Sequence, residues 1–212
     1  MATSTSDAAG RRRVGILGGS FNPPHLGHLI IASQAHYELG LAGVVFVPAW
    51  SPPHKVIEDH VTAETRLRLA TAAVGGDPRF SVSAVEIERR LRYTVETLAA
   101  LSGELGDADL WFIVGSDSLL ALATWKDPSG ILERCRLAVA PRPGDDPRLI
   151  REHAGRYNAE ILSTPAIGLS SSDVRARVRR GAPLRYLVPE AVALLIERLG
   201  LYRGAAGRRD PR

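Results

Sequence analysis

Short apolar runs alternate with amphipathic stretches along most of the chain. Apolar or alternating runs predict strands over Val14–Leu17, Val44–Val47, Phe80–Ile87, Leu110–Val114, Leu137–Ala140 and Glu160–Leu162. Helical spacing and cap signals predict helices over Leu26–Leu39, Ala63–Val74, Val95–Leu101, Ser118–Ala123, Ser129–Arg134, Arg148–Tyr157, Ser171–Arg180 and Pro189–Leu199. This alternation predicts an α/β fold built on a doubly wound parallel sheet.

The predicted sheet is Rossmann-like and forms a single domain with a helical C-terminal segment. The chain has 212 residues, which is long enough for one substantial core. We expect the folded domain to span residues 13–202, with disordered tails at residues 1–12 and 203–212. The single cysteine, Cys135, excludes an internal disulfide. Because no apolar stretch is long enough to span a membrane and the N-terminus lacks the pattern of a secretory signal, we expect a cytoplasmic protein without a membrane partner.

The net charge of +4 is concentrated at the two ends of the chain. Residues 1–13 contribute +2 and residues 203–212 contribute +3, which leaves residues 14–202 at −1. A nucleic-acid binder needs a basic face on its folded body, so we expect no nucleic-acid partner. The sequence does not fix the oligomeric state, and a homo-oligomer stays open.

The segment from Gly18 to His28 joins the first strand to the first helix. Its glycine pair allows the backbone to approach a ligand closely, and the helix start presents unpaired N–H groups with a positive dipole end. Such a joint is an anion site that favours phosphate. His25 and His28 are three residues apart and share one face of the first helical turn. On spacing alone, chemistry at phosphorus, half of a metal site and a solvated helix end all stay open.

A second anion site is indicated near the C-terminus. Ser171 and Ser172 open a predicted helix, and Arg175 lies on its first turns. Hydroxyls, free N–H groups and a guanidinium together can bind phosphate. The alternative is an N-cap run with a solvated arginine.

Gly115 and Asp117 follow directly after the predicted strand over Leu110–Val114. A carboxylate at this edge of the sheet can accept a hydrogen bond from a ribose hydroxyl, or it can cap the next helix. Trp125 is the best candidate for a ring-stacking platform. Thr94 is predicted to cap the helix that follows it, with or without a role in binding.

The string Ser-Pro-Pro-His-Lys at residues 51–55 follows the second predicted strand, so it lies on the ligand side of the sheet. It contains His54 and Lys55. The chain uses arginine for nearly every basic position, and its two lysines are Lys55 and Lys126. We interpret Lys55 and Lys126 as positions that favour a compact ammonium donor. The alternative for residues 51–55 is a stiff surface loop without a role in binding.

The sequence strings described above occur in one order along the chain and resemble the motifs of the nucleotidyltransferase superfamily, in which the loop after the first strand ends in His-x-Gly-His. The Asn-Pro-Pro-His form of this loop is similar to that of the nicotinate mononucleotide adenylyltransferase branch. The resemblance implies transfer of AMP from ATP to nicotinate mononucleotide, with Mg²⁺ held mainly by phosphates and no protein metal ligands. It implies three catalytic residues: His25, His28 and Arg175. It implies ATP contacts from Gly18, Gly19, Ser20, Phe21, Gly115, Asp117, Ser171 and Ser172. It implies mononucleotide contacts from His54, Lys55, Thr94, Trp125 and Lys126.

Three alternatives stay open at this point. The first is another nucleotidyltransferase, such as a pantetheine-phosphate adenylyltransferase or a cytidylyltransferase. The second is a nucleotide-binding sensor without catalysis, which intact His25, His28 and Arg175 disfavour. The third is a nucleic-acid binder that uses the arginine-bearing ends.

Overall fold

A computed structural model of the protein describes residues 11–51, 59 and 61–203. The strands are β1 (Arg13–Gly19), β2 (Gly43–Pro48), β3 (Phe80–Val82), β4 (Asp109–Gly115), β5 (Cys135–Ala140) and β6 (Glu160–Ile161). The helices are α1 (Leu26–Glu38), α2 (Ala63–Val74), α3 (Val85–Arg89), α4 (Thr94–Leu105), α5 (Ser116–Ala121), α6 (Pro128–Arg134), α7 (Pro147–Arg156), α8 (Ser171–Arg179) and α9 (Glu190–Arg198). A short 3-10 helix covers Leu122–Thr124.

The strands form one parallel sheet in the order β3-β2-β1-β4-β5-β6. The chain starts in the middle, builds outward to β3 and then returns to β4 on the other side of β1. This reversal of direction confirms the predicted doubly wound fold and places a ligand crevice between β1 and β4. All carboxyl ends of the strands therefore meet at the same edge.

The central strands are apolar on both faces because helices cover both sides of the sheet. Ile16 and Phe112 belong to the buried cluster that α4 to α7 cover, whereas Leu17 and Ile113 belong to the cluster on the opposite face. Gly15 permits close packing, since a Cβ there would lie 2.8 Å from Cδ1 of Leu41. A third buried cluster packs α2 against α8 and α9, the two helices of the predicted C-terminal segment.

Several helix ends follow directly from the local sequence. The side chain of Thr62 accepts a hydrogen bond from the Thr65 N–H at 3.2 Å, which confirms the predicted N-cap of α2. Gly200 has a φ of 61° just after α9, where the sequence predicted a helix stop.

The prediction of a strand over Phe80–Ile87 was wrong in its second half. Strand β3 pairs with β2 for three residues, and the chain then turns into α3. Ser83 accepts a hydrogen bond from the Val85 N–H at 3.2 Å, and acidic Glu86 and Glu88 lie in the first turn, where the helix dipole favours them. Apolar residues two positions apart, Val85 and Ile87, imitated strand alternation although only one turn of helix is present.

None of the helices that the structure describes combines the length and the apolar character needed to cross a bilayer. The predicted tails fall almost wholly on residues outside the described ranges, and the predicted domain limits stay a prediction.

Candidate active site

A cavity of about 1010 Å³ lies at the carboxyl edge of the sheet. The ends of β1, β2, β4 and β5 and the starts of α1, α4, α5 and α8 surround it. Thirteen of the predicted site residues line it: Gly18, Gly19, Ser20, His25, His28, Thr94, Gly115, Asp117, Trp125, Lys126, Ser171, Ser172 and Arg175. Predicted residues His54 and Lys55 lie outside the described residues. The fold thus brings together side chains that are up to 157 positions apart in sequence.

The two histidines stand side by side at the start of α1. The centroids of the His25 and His28 rings are 3.8 Å apart, and the rings are tilted by 39°. A Cβ at Gly27 would lie 3.0 Å from Cε1 and Nδ1 of His25. The glycine of the His-Leu-Gly-His string is therefore needed because the first imidazole folds back over it.

Phe21 supports this pair from behind. Its ring is fully buried and meets the His28 ring edge-on at 5.1 Å between centroids. Phe21 is not among the described residues that line the cavity, and its predicted contact with ATP stays a prediction. The sequence correctly placed Phe21 in the loop but not in the core.

The two imidazoles differ in their hydrogen bonds. Nδ1 of His28 accepts a hydrogen bond from the His25 backbone N–H at 3.1 Å, so the neutral ring carries its proton on Nε2 and donates from there. Nδ1 of His25 is buried and has no hydrogen-bond partner among the described residues. The pKa of His25 is lowered to about 4, mainly because the ring is buried; the Asp173 carboxylate opposes this change, and Arg142 makes a smaller contribution in the same direction as burial. His25 is therefore neutral at pH 7, and the residue lines the cavity.

The depressed pKa of His25 makes the stability of the protein depend on pH. Below pH 6.5 the unfolded chain binds a proton at this position that the folded chain does not bind until about pH 4, so stability falls as pH falls through this window. The loss from this one group amounts to roughly 3 kcal/mol. We expect His25→Gln to remove that part of the difference in unfolding free energy between pH 7 and pH 4.5, measured by urea denaturation. His36→Gln, on the same helix, is the control, and an unchanged pH dependence in His25→Gln would contradict the assignment.

The side chain of Arg175 is directed at the loop between β1 and α1, which ends at His25. Nη1 of Arg175 donates to the Asn22 carbonyl at 2.8 Å, and Nη2 donates to Oγ of Ser172 at 3.0 Å. Its Nε lies 3.6 Å from Oδ2 of Asp59, and Arg175 is only 5% exposed. The sequence predicted a guanidinium that binds phosphate, whereas the structure shows one that also supports the backbone just before His25.

The second predicted hydroxyl at the start of α8, that of Ser171, binds the same loop. Oγ of Ser171 donates to the Pro23 carbonyl at 2.8 Å. The N-cap of α8 is Ser170, whose side chain accepts from the Asp173 N–H. The start of α8 is thus fastened to the turn that leads into α1, and both helix starts border one cavity.

On the β4 side of the cavity, Asp117 forms an ion pair with Arg142. Oδ1 of Asp117 lies 3.0 Å from Nη2 of Arg142, and a Cβ at Gly115 would approach both side chains. The N-cap of α5 is Gly115, so Asp117 does not cap that helix. Both side chains of the pair are about half exposed, which leaves the carboxylate accessible to a ligand in the cavity.

Another part of the cavity wall is aromatic and hydroxylated. Trp125 packs edge-on against Phe112 at 6.2 Å and still lines the cavity. Nζ of Lys126 lies 4.2 Å from the centroid of the Tyr93 ring and 3.4 Å from Oε1 of Glu96. The predicted N-cap at Thr94 was wrong by one residue.

The N-cap of α4 is Tyr93, and Thr94 is the first helical residue. The carboxylate of Glu96 accepts the N–H groups of Arg92 and Tyr93, both at 3.3 Å, and this fixes the start of the helix one position earlier than the hydroxyl suggests.

Sequence reasoning missed several cavity-lining residues: Glu86, Arg92, Arg142 and Thr164. Arg142 could have been found, because it follows β5 at the carboxyl edge of the sheet, where ligands bind. Glu86 was not identified because the sequence predicted a strand where the structure has α3.

Within the parts of the chain that the structure describes, no group of three or more histidine, cysteine, aspartate or glutamate side chains could hold a metal ion. Burial raises the pKa of Cys135 to about 12, so this thiol is not a nucleophile at neutral pH.

Comparison with known proteins identifies the family. Residues 16–177 match the model of the cytidylyltransferase-like family. A probable nicotinate-nucleotide adenylyltransferase of Moorella thermoacetica is 41% identical over 199 residues, which cover 90% of this chain and 92% of the relative. The probable nicotinate-nucleotide adenylyltransferase of Salinibacter ruber is 42% identical over 196 residues, which cover 90% of this chain and 97% of the relative.

A solved structure agrees on the fold. Plasmodium falciparum nicotinic acid mononucleotide adenylyltransferase, complexed with NaAD, superimposes with a TM-score of 0.75 at 14% identity, covering 91% of this chain and 98% of that one. The family match extends over most of the folded body, including both histidines and the start of α8. The chain therefore belongs to the cytidylyltransferase-like family and, within it, to the nicotinate-nucleotide adenylyltransferases.

Proposed function

We propose that the protein transfers the AMP moiety of ATP to nicotinate mononucleotide and releases pyrophosphate, in NAD biosynthesis. The observation that carries the proposal is the composition of one cavity: two adjacent imidazoles at a helix start share it with a carboxylate and with an aromatic, hydroxylated wall. The imidazoles suit a triphosphate, the carboxylate of Asp117 suits a ribose hydroxyl, and Trp125 suits a pyridine ring. Names of relatives that share 41% and 42% of their aligned residues support the same reaction.

In this reaction, an oxygen of the 5′-phosphate of the mononucleotide attacks the α-phosphorus of ATP. A new P–O bond forms, the bond from the α-phosphorus to the bridging oxygen breaks, and pyrophosphate leaves with that electron pair. Because the attacking phosphate is already ionised, no general base is required. Catalysis then depends on alignment and on neutralising the charge that gathers around the transferring group.

The two imidazoles are suited to this task as hydrogen-bond donors. His28 carries its proton on Nε2, because Nδ1 is occupied by the His25 N–H. We assign to His25 and His28 the oxygens of the α- and β-phosphates. The start of α8, with Ser171, Ser172 and Arg175, is assigned to the β/γ end, which becomes the pyrophosphate.

Mg²⁺ enters this proposal as the partner of ATP. The described cavity supplies no protein cage for a metal, and Mg²⁺ commonly binds through substrate phosphates and water. When bound, the ion neutralises part of the triphosphate charge. The residues named above hold and orient the substrate around it.

The test is pyrophosphate release with ATP and Mg²⁺, comparing nicotinate mononucleotide, nicotinamide mononucleotide and phosphopantetheine as acceptors. We expect turnover with the first and at least ~10-fold lower kcat/KM with the second, the discrimination that one unsatisfied charged contact provides. Turnover with phosphopantetheine alone would contradict the substrate assignment while leaving the family unchanged.

A further inference from the structure

The chain leaves β2 through Ala49 and Trp50, which we call the β2 exit, and this segment borders the cavity. Beyond Pro48 it has no strand partner, so its backbone polar groups need other partners. The Ala49 N–H donates to the Gly19 carbonyl at 2.9 Å. The remaining three groups of the β2 exit are bound by two charged side chains.

Glu86 binds the N–H side of the β2 exit. Its Oε2 accepts the Trp50 N–H at 3.2 Å, and its Oε1 accepts the hydroxyl of Thr97 at 2.8 Å. Thr97 lies one turn into α4, the helix whose start carries Tyr93 and Thr94 at the cavity. One carboxylate thus joins the β2 exit to the mononucleotide side of the proposed site.

Arg66 binds the C=O side. Its Nη2 donates to the carbonyls of Ala49 at 2.6 Å and Trp50 at 3.1 Å, and its Nη1 donates to the Ser20 carbonyl at 2.8 Å. The residue is 1% exposed, among the most buried large side chains that the structure describes. Its planar fork reaches three carbonyls at once, a task that a lysine ammonium on a flexible stem cannot reproduce.

We propose that Glu86 and Arg66 are positioning residues for the reaction. Glu86 holds the β2 exit next to α4 on the mononucleotide side, and Arg66 holds it next to the glycine-rich loop (residues 18–20) on the ATP side. The inference rests on the proposed function for the assignment of the two sides. It goes beyond it because neither residue belongs to the strings that define the family resemblance. The carboxylate acts through two hydrogen bonds that span two separate elements of the site.

The two residues differ in what they couple, so their variants should differ in which substrate they affect. Loss of Glu86 frees α4 and Trp50 but leaves the Ser20 contact of Arg66 intact. Loss of Arg66 frees the glycine-rich loop as well as the β2 exit. Steady-state kinetics with each substrate varied in turn separates these cases.

The test compares Glu86→Ala and Glu86→Gln in the pyrophosphate-release assay, with Glu88→Ala as control on the exposed side of the same short helix. We expect Glu86→Ala, which removes two partly buried hydrogen bonds, to raise KM for nicotinate mononucleotide by ~10-fold. KM for ATP and kcat should change by less than about threefold. In Glu86→Gln the new side chain cannot carry charge, but its carbonyl oxygen can accept from the Trp50 N–H while its amide donates to Thr97. Glu86→Gln should therefore stay within about threefold of the wild type, if the role is positioning through hydrogen bonds.

Two further variants keep the test decisive if Glu86→Ala does not fold. Thr97→Val removes one hydroxyl and preserves shape, and it should raise KM for the mononucleotide selectively. Arg66→Lys should raise KM for both substrates, because the Ser20 carbonyl belongs to the ATP side.

Several outcomes would overturn the inference. Glu86→Gln as impaired as Glu86→Ala would show that the charge itself contacts substrate. Equal rises of both KM values in Glu86→Ala, or no change in either, would show a structural role or none. Absence of turnover by the wild-type protein with this acceptor would instead contradict the proposed function, so the two failures are distinguishable.

Discussion

Replacing His28 with alanine is expected to lower kcat by ~10²-fold or more, with much smaller effects on either KM, because it removes a donor that acts on charge developing in the transition state. The structure strengthens the expectation through geometry. His28 is held from three directions: its Nδ1 by the His25 N–H, one edge by Phe21, and one face by the His25 ring. A ring that is held this firmly needs little reorganisation when the reaction begins.

The measurement is kcat for pyrophosphate release under saturating ATP and nicotinate mononucleotide. His36→Ala is the matched control, since His36 lies in the last turn of the same helix. It should retain wild-type kcat. A His28→Ala enzyme that stays within about threefold of the wild type would remove the catalytic role of this residue.

The predictable part of the site lies where function and local structure use the same signal. A strand, a glycine pair and a helix start are local features, so the sequence placed Gly18, His25 and His28 correctly at the carboxyl edge of the sheet. The same holds for Gly115 and Asp117 after β4. In each case a short window of sequence contains both the element and its exposed end.

The part that could not be predicted depends on contacts between distant segments. The hydroxyl of Tyr202 donates to Oδ1 of Asn22 at 2.8 Å, across 180 positions of sequence. Both side chains are buried, and burial raises the pKa of the tyrosine. No periodicity or cap signal points to such a pair. Tyr202, the last residue of the predicted domain, therefore helps to shape the turn before His25.

Buried arginine is the second feature that the sequence pattern did not reveal. An arginine in sequence suggests an exposed cation or an anion-binding fork, yet Arg66 and Arg175 are buried and bind backbone carbonyls of the loops that form the site. A guanidinium offers five donors and no acceptor, so it satisfies several carbonyls that no strand partner reaches. The irregular loops at the carboxyl edge of this sheet have many such carbonyls. Their order thus depends on charged side chains from helices α2 and α8.

This arrangement gives Arg175→Ala a double effect. The variant leaves the Asn22 carbonyl without its buried donor and removes one of the two guanidinium groups near Asp59, the other being that of Arg179. We expect a loss of about 2–4 kcal/mol in unfolding free energy, the range for unpairing buried polar and charged groups. Because the turn before His25 is then free to move, kcat/KM for ATP should fall by ~10²-fold, the sensitivity of catalysis to small misplacements of catalytic groups.

Urea denaturation and steady-state kinetics on the same preparation separate the two roles of Arg175. Ser172→Ala, which removes one of its hydrogen-bond partners, is the control for the contact within α8 and should cost much less in unfolding free energy. Activity that is lost while the unfolding free energy stays within about 0.5 kcal/mol of the wild type would show that the guanidinium acts on phosphate alone. Stability that is lost while kcat/KM is retained would show that it supports the fold without ordering His25. A parallel loss of both is what the hydrogen bonds of Arg175 require, because the loop they hold is the one that carries the catalytic histidines.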